Sequence, residues 1–594
     1  MQFKSLILII LIISGCASAP HRPTTIARDD YASTEEYIKK LIQYEMKKKS
    51  VAGLSIALVD DQHIIWSDGF GYADQELKTP ATAKTIYRVG SISKLFTDTA
   101  AMQLVEQGRL DIDKPIKNYL PGFSIKSHQT NPAEITARQL MTHHSGLPHD
   151  RMKGFMNPHP ASFAGLSDDI HNDYTNYPPN LLFSYSNLGV TLLGNIIQNQ
   201  VGMPFADYMQ QSVLVPLNMT NSTFETGLSS SRLMAKGYRD GKPENEFPLR
   251  DIPAGGLNSN VIDMSHFISM IFAGGTSGDH RILKAETINE MLRTQNADVP
   301  LDFNFHVGLG WMLSTLGGST IENGGKVAHH GGDTFLYHSQ MYLLPEHKLG
   351  VVVLSNSSTA RQTVDHIATE TLKLALEAKS GIHQPEHTKV KVDDKPLNAE
   401  TVQTYVGDYT TLAGFARIKA CGNGLCANVA NHSFDFVHGS DGLFRLDYSL
   451  LGIFHINLGT LGDIGLSRRT LNGRDLLVAR VGSQELLVGQ RIVPTSNEGA
   501  WKQFLGDYEI TNLDNDFKSI DHISLIEDQD FLLVEITPVK NPSEKVRIPL
   551  MPISTNEALI LGMLNDGGDT VRIVKVDGEE RLLYSGYLLK KLLR

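Results

Sequence analysis

The stretch "YRVGSISKLFTD", Tyr87 to Asp98, places two serines and a lysine at the head of a helical pattern. From Ser91 to Gln107 the residues Leu95, Phe96, Ala100, Leu104 and Val105 fall on one apolar side, and Gly108 is a natural stop. Residues three apart share a helix face, so Ser91 and Lys94 come within hydrogen-bonding reach. A serine hydroxyl is a weak nucleophile until a neighbouring base takes its proton. An amine one turn away can be that base, or both groups can simply face solvent at a helix start. The flanking sequence decides between these readings.

Upstream, "VAGLSIALVDDQHIIWSDGFGYAD" (Val51 to Asp74) reads as two strands around a turn at Asp60 and Asp61. Towards the other end, "HSQMYLLPEHKLGVVVLSN" (His338 to Asn356) reads as two more strands joined by a turn containing Pro345, with a helix after them. Strands first, helices between and strands last predict an α+β fold over residues 34–380, an antiparallel sheet flanked by helices. The polar, Pro-containing stretch 381–400 predicts a linker. Beyond it, short β-patterned runs alternate with Gly, Asn and Asp. "YVGDY" (Tyr405 to Tyr409) and "FLGDY" (Phe504 to Tyr508) mark two consecutive all-β units, 401–494 and 498–594, each of a size for a small barrel or sandwich.

The 594 residues exceed what one core holds. Fifty-four basic against 65 acidic residues give a net charge of −11 without a basic tract, which argues against nucleic acid as a partner. At the amino terminus, Lys4 precedes the apolar run Leu6 to Ile13 and then "SGC". That run is too short to span a bilayer but suits a signal-peptide core. "ISGC" resembles a bacterial lipobox, which implies a leader segment 1–16, a lipid on Cys16 and a linker over 17–33. Ala17 carries no inner-membrane retention signal, so the resemblance implies a periplasmic protein anchored by its lipid, at the outer membrane of a Gram-negative bacterium. A cleaved secretory signal with an incidental cysteine is the alternative. In "CGNGLC", Cys421 and Cys426 flank a Gly-Asn-Gly turn signal, so a hairpin can set them face to face for a disulfide in an oxidising compartment.

Two further motifs bear on the opening pair. "FSYSNLG" supplies Tyr185, Ser186 and Asn187, and "HHGGDTFLY" supplies His329, His330, Gly331, Gly332 and Asp333. S-x-x-K, Y-x-N and H-x-G in this order resemble the signature of the serine β-lactamase-like and penicillin-binding-protein-like hydrolases, closest to class C β-lactamases and their esterase and D-peptidase relatives. "QLMTHHSGLP" (Gln139 to Pro148), "PAGGLNS" (Pro253 to Ser259) and "GLGW" (Gly308 to Trp311) also match patterns of that family. The resemblance implies Ser91 as acylating nucleophile, with Lys94 and Tyr185 as its basic partners, either of which can take the proton. It implies that Asn187 holds a substrate amide or orients Lys94. Backbone amides of Ser91 and Asp333 would form the oxyanion hole. Both His329 and His330 fit the third motif. His330 is preferred, because counting from it sets Tyr337 and Pro345 where relatives have an aromatic and a strand-turn proline. His143 and His144 are expected to brace a loop near the site.

The third motif departs from the K-T-G of β-lactamases and carboxypeptidases. A neutral imidazole is a poorer anchor for a substrate carboxylate than a lysine. "DTFLYH" also carries Phe335 and Leu336 where relatives have Pro-Gly. Both changes favour small peptides, with D-residues among the candidates, or esters over penicillins. The two β units resemble barrels appended to D-aminopeptidases and related peptidases. A β-lactamase or D,D-carboxypeptidase is the alternative enzyme, and a non-catalytic envelope-binding scaffold the alternative of another kind. With no H-E-x-x-H and no Gly-Lys-Ser/Thr phosphate loop, neither metal nor nucleotide cofactor is expected.

Overall fold

The computed structural model describes residues 18–594 apart from 226–232, 316–318, 386–389, 391–396, 423, 430–431, 451–453, 457–463, 495–497, 564–565 and 593–594. Cys16 and the expected leader therefore lie outside the described residues.

The first part of the chain is built on α1 (Tyr31–Lys49), β1 (Gly53–Asp60), β2 (His63–Asp74), β3 (Thr79–Pro80), α2 (Ser93–Glu106), α3 (Asn187–Val201) and α4 (Val261–Phe272). It closes with β4 (Ala328–Asp333), β5 (His338–Leu344), β6 (Leu349–Ser355) and α5 (Arg361–Ser380). The six strands form one sheet in the order β4-β5-β6-β1-β2-β3, antiparallel throughout. Successive strand side chains point to opposite faces, and both faces of this sheet are covered. Leu54, Ile56 and Leu58 of β1 and Val351 and Val353 of β6 pack with Ile38 and Ile42 of α1 and Ile367 and Leu372 of α5. The intervening Ala57, Val59, Val352 and Leu354 join Phe96 of α2 and Phe267 of α4 on the other side. A strand buried on both faces reads as an unbroken apolar run, which is what "GLSIALV" and "LGVVVL" are.

Two expected linkers prove shorter than their sequence suggests. Helix α1 begins at Tyr31, within 17–33, because Asp30 caps it by accepting from the Ser33 amide at 3.0 Å. Likewise α6 (Ala399–Tyr405) starts within 381–400, capped by Asn398.

After α6 come two closed barrels, each with a ring of eight strands, the first carrying a ninth short strand, Phe454–Ile456, paired with Phe444–Leu450. The first runs from Gly407–Thr411 to Gln484–Ile492 and closes because Phe444–Leu450 pairs both with His432–His438 and with Gly465–Leu471. Cys421 and Cys426 are joined across its second hairpin. The second barrel runs from Gly506–Ile510 to Tyr587–Lys591 and closes by the pairing of these two strands. The repeated pentapeptide has one structural job in both. Each copy ends a helical turn and opens the first strand, and its final tyrosine (Tyr409, Tyr508) donates back to the carbonyl of Tyr405 or Phe504.

Candidate active site

Ser91 does not sit within the α-helix that the periodicity predicts but in a 3-10 turn, Gly90–Ile92, that leads into α2. The cause is the edge strand. Gly90 adopts φ +53°, and a Cβ there would lie 2.8 Å from the Asp333 amide nitrogen. Gly332 is equally confined, since its Cβ would lie 1.9 Å from the Val89 carbonyl oxygen. Two glycines thus let β4 press against the turn that carries the serine, bringing the Asp333 amide beside that of Ser91.

Lys94, in the first turn of α2, is fully buried while Ser91 stays half-buried. Its Nζ lies 3.0 Å from Ser91 Oγ, 2.7 Å from Asn187 Oδ1 and 2.7 Å from the Ala254 carbonyl oxygen. Burial takes the amine down to about 7, against the pull of Asp150, Asp98 and Asp251. Asn187 opens α3, and its Nδ2 donates to Asp150 Oδ1 at 3.0 Å, so both ends of its amide are engaged. The Tyr185 ring lies 4.9 Å from Lys94 Nζ. Burial pushes its phenol up, the neighbouring Ser91 hydroxyl drawing it part of the way back. Near neutral pH the amine therefore gives up its proton far more readily than the phenol.

His330 and His329 point to opposite sides of β4. The His330 ring centre is 6.3 Å from that of Tyr185, whereas His329 stacks on Tyr342 and bonds to the Ser314 carbonyl. Burial takes His330 down to about 3, so the ring is neutral. With its Nδ1 assigned as donor to the Gly331 carbonyl at 2.5 Å, its buried Nε2 remains a bare acceptor, unpartnered among the described residues.

His143 and His144 both brace the Tyr185 segment, by different contacts. His143, at φ +60°, accepts from the Ser186 amide at 3.1 Å and packs 4.2 Å from the Tyr185 ring. His144 donates to the Asp302 carboxylate at 2.8 Å. Sequence reasoning missed Asp150, which receives Asn187 and lies 3.3 Å from His149 Nε2, and it missed the Ala254 carbonyl. No local pattern marks Asp150. The Ala254 carbonyl belongs to "PAGGLNS", whose match to the family was the available signal.

Ser91, Lys94 and Tyr185 thus meet in one cleft between a helical layer and the edge of an antiparallel sheet. Residues 38–375 match the Beta-lactamase family, and the chain belongs to it. Protein flp of Staphylococcus aureus (strain N315) is 27% identical over 350 residues, 57% of this chain, and the match spans 66% of that relative's length. A Beta-lactamase of Providencia stuartii is 26% identical over 288 residues, 47% of this chain and 69% of that protein. The octameric penicillin-binding protein homologue from Pyrococcus abyssi superposes with a TM-score of 0.51 at 23% identity, covering 78% of this chain and 99% of that one. SurE, solved with D-Leu, gives 0.54 at 20% identity, covering 78% of this chain and all of that one. Both solved structures share the fold.

Proposed function

We propose that this chain is a serine hydrolase that forms an acyl-enzyme on Ser91, with Lys94 as the base, and that it cleaves small peptides or esters. The observation that carries the reading is the set of partners around Lys94 Nζ. A neutral amine has two N–H donors and one lone pair. Asn187 Oδ1 and the Ala254 carbonyl take the two donors, each at 2.7 Å, which leaves the lone pair for the Ser91 proton at 3.0 Å. In the proposed step Ser91 Oγ bonds to the substrate carbonyl carbon as its proton passes to Lys94. The oxyanion accepts from the amides of Ser91 and Asp333, and as the intermediate collapses Lys94 hands the proton to the leaving group. A water then repeats the sequence to release the acid. Tyr185, neutral, stands beside Ser91 and Lys94, its ring 4.9 Å from the amine. The uncharged His330 favours this reading over a β-lactamase or D,D-carboxypeptidase, since it offers a substrate carboxylate no positive charge.

Labelling the purified chain with a fluorophosphonate and mapping the modified peptide tests the assignment. The adduct is expected on Ser91; an adduct elsewhere, or none, rejects it. The rate of labelling is expected to fall about tenfold for each pH unit below about 7 and to level off above it, because only unprotonated Lys94 accepts the proton. A rate still climbing at pH 10 would point instead to an ordinary lysine or to the phenol.

We further propose that a lipid on Cys16 holds the enzyme at the periplasmic face of an outer membrane, from the lipobox-like "ISGC" after a short apolar run. Radiolabelled palmitate should enter the expressed chain and be lost in Cys16→Ala. Equal incorporation by both would remove this anchor.

A further inference from the structure

The second barrel is packed by its own side chains only towards the end that holds Trp501, Phe504, Leu532 and Leu550. A cavity of ≈210 Å³ runs along its axis, walled by inward-pointing residues such as Val534, Ile536, Ile548, Val571, Leu582 and Leu589. Val534, Ile536 and Ile548 stay only half-buried although they face the interior. An eight-stranded barrel is just wide enough either to be packed by side chains or to hold one small ligand, and an apolar cavity stays dry and takes apolar guests. The lining extends along one strand from Ile520 to Leu525, roughly 12 Å of barrel axis at the usual rise and tilt. A cavity of this volume and length is a bore that admits a slim apolar group such as an aliphatic chain.

One end of the bore is shut and the other faces the hydrolase, where Asp150 and Met152 join its lining. Trp501, fully buried and donating to the Ser554 carbonyl at 3.0 Å, stands with Phe504 before the first strand and closes the base. The opposite end, beyond Ile510, docks on the hydrolase. There the Met152 amide donates to Ser585 Oγ at 2.8 Å, the Phe517 amide to the Met156 carbonyl at 3.0 Å, and the Tyr177 hydroxyl to the Gly562 carbonyl at 3.2 Å. One residue lining the mouth touches the site, and a second packs beside the edge strand. Asp150 holds Asn187, which holds Lys94. Phe517 packs 5.0 Å from Phe335, two residues beyond Asp333. Asp150 and Asp566 stand at this mouth, while Lys518 there is paired with Asp521 at 3.1 Å. A free carboxylate would meet acids at the entrance; an uncharged ester or amide would not.

We infer that the second barrel is a tail-binding subsite, and that the substrate is a neutral ester or amide carrying an aliphatic tail that enters the barrel while its carbonyl lies at Ser91. The position of the carbonyl rests on the serine-hydrolase reading; the tail site does not.

Two measurements on the full chain separate the two. In Ser91→Ala, which cannot turn substrate over, calorimetry should show one molecule of n-octanamide bound with a negative heat-capacity change, acetamide and octanoate binding far more weakly. Val534→Trp, which fills the bore, should abolish octanamide binding in that background. In the active chain, kcat/KM over p-nitrophenyl acetate to dodecanoate, and over ethyl to octyl acetates, should rise up to about fourfold per methylene in whichever series carries the tail, then level off once the bore is full. Val534→Trp should flatten that series and keep its activity on p-nitrophenyl acetate, which also reports that it folds. Ile536→Ala should move the plateau to longer chains. Octanamide binding without hydrolysis of any ester would keep the tail site and reject the hydrolase reading. Absent octanamide binding, or a chain-length rise that survives Val534→Trp, would overturn the tail site.

Discussion

Lys94→Met is expected to lower acylation by about 10²- to 10⁴-fold, the usual contribution of a positioned base, and to erase the bend near pH 7 in what remains. Methionine fills much of the same space but supplies neither the lone pair for the Ser91 proton nor the donors for Asn187 Oδ1 and the Ala254 carbonyl. Lys94→Arg separates a base from a charge. A guanidinium stays protonated at any workable pH, so arginine should rescue nothing if Lys94 acts as a base. Restored activity in the arginine variant would mean that Lys94 serves as a cation. Fluorophosphonate labelling rates between pH 5 and 9, with circular dichroism to exclude unfolding, settle the matter.

Gly332→Ala is expected to cost about 10²- to 10³-fold in kcat, the size of effect seen when one oxyanion donor is lost. The added Cβ would meet the Val89 carbonyl oxygen at 1.9 Å and Ser339 Oγ at 2.3 Å. Neither can yield cheaply, because Val89 directly precedes the Gly90 turn and Ser339 Oγ donates to the same carbonyl at 2.8 Å. The edge strand must then back away from Ser91 and take the Asp333 amide with it. Overpacking of this kind also costs about 1–3 kcal/mol in stability, so a lower melting temperature should accompany the slower enzyme. An alanine variant with full activity would mean that the Asp333 amide does not receive the oxyanion.

Much of the site is legible in one dimension because its parts are local. The Ser91–Lys94 spacing is a single helical turn, and the alternation along β4 separates His330 from His329 without any knowledge of what each faces. The double-sided burial of β1 and β6 shows as unbroken apolar runs, and the two barrels announce themselves through a repeated pentapeptide with one structural role. The misses are of another kind. The linkers were drawn too long because a cap such as Asp30 or Asn398 is one residue within an otherwise polar stretch. Asp150 carried no signal at all, since its importance lies in meeting Asn187, 37 residues away in the chain.

The order of motifs, the spacing of serine and lysine and the glycines that permit close approach were thus determined by the sequence alone, each being a property of neighbouring residues. Only the tertiary structure sets the proton affinities of Lys94 and Tyr185 and leaves a cavity within the second barrel. The proton affinity of Lys94 follows from its removal from water by segments far apart in the chain. The bore of the second barrel depends on whether inward side chains from eight strands meet at the axis. Alternation shows that such side chains point inward; it does not show that they stop short of one another.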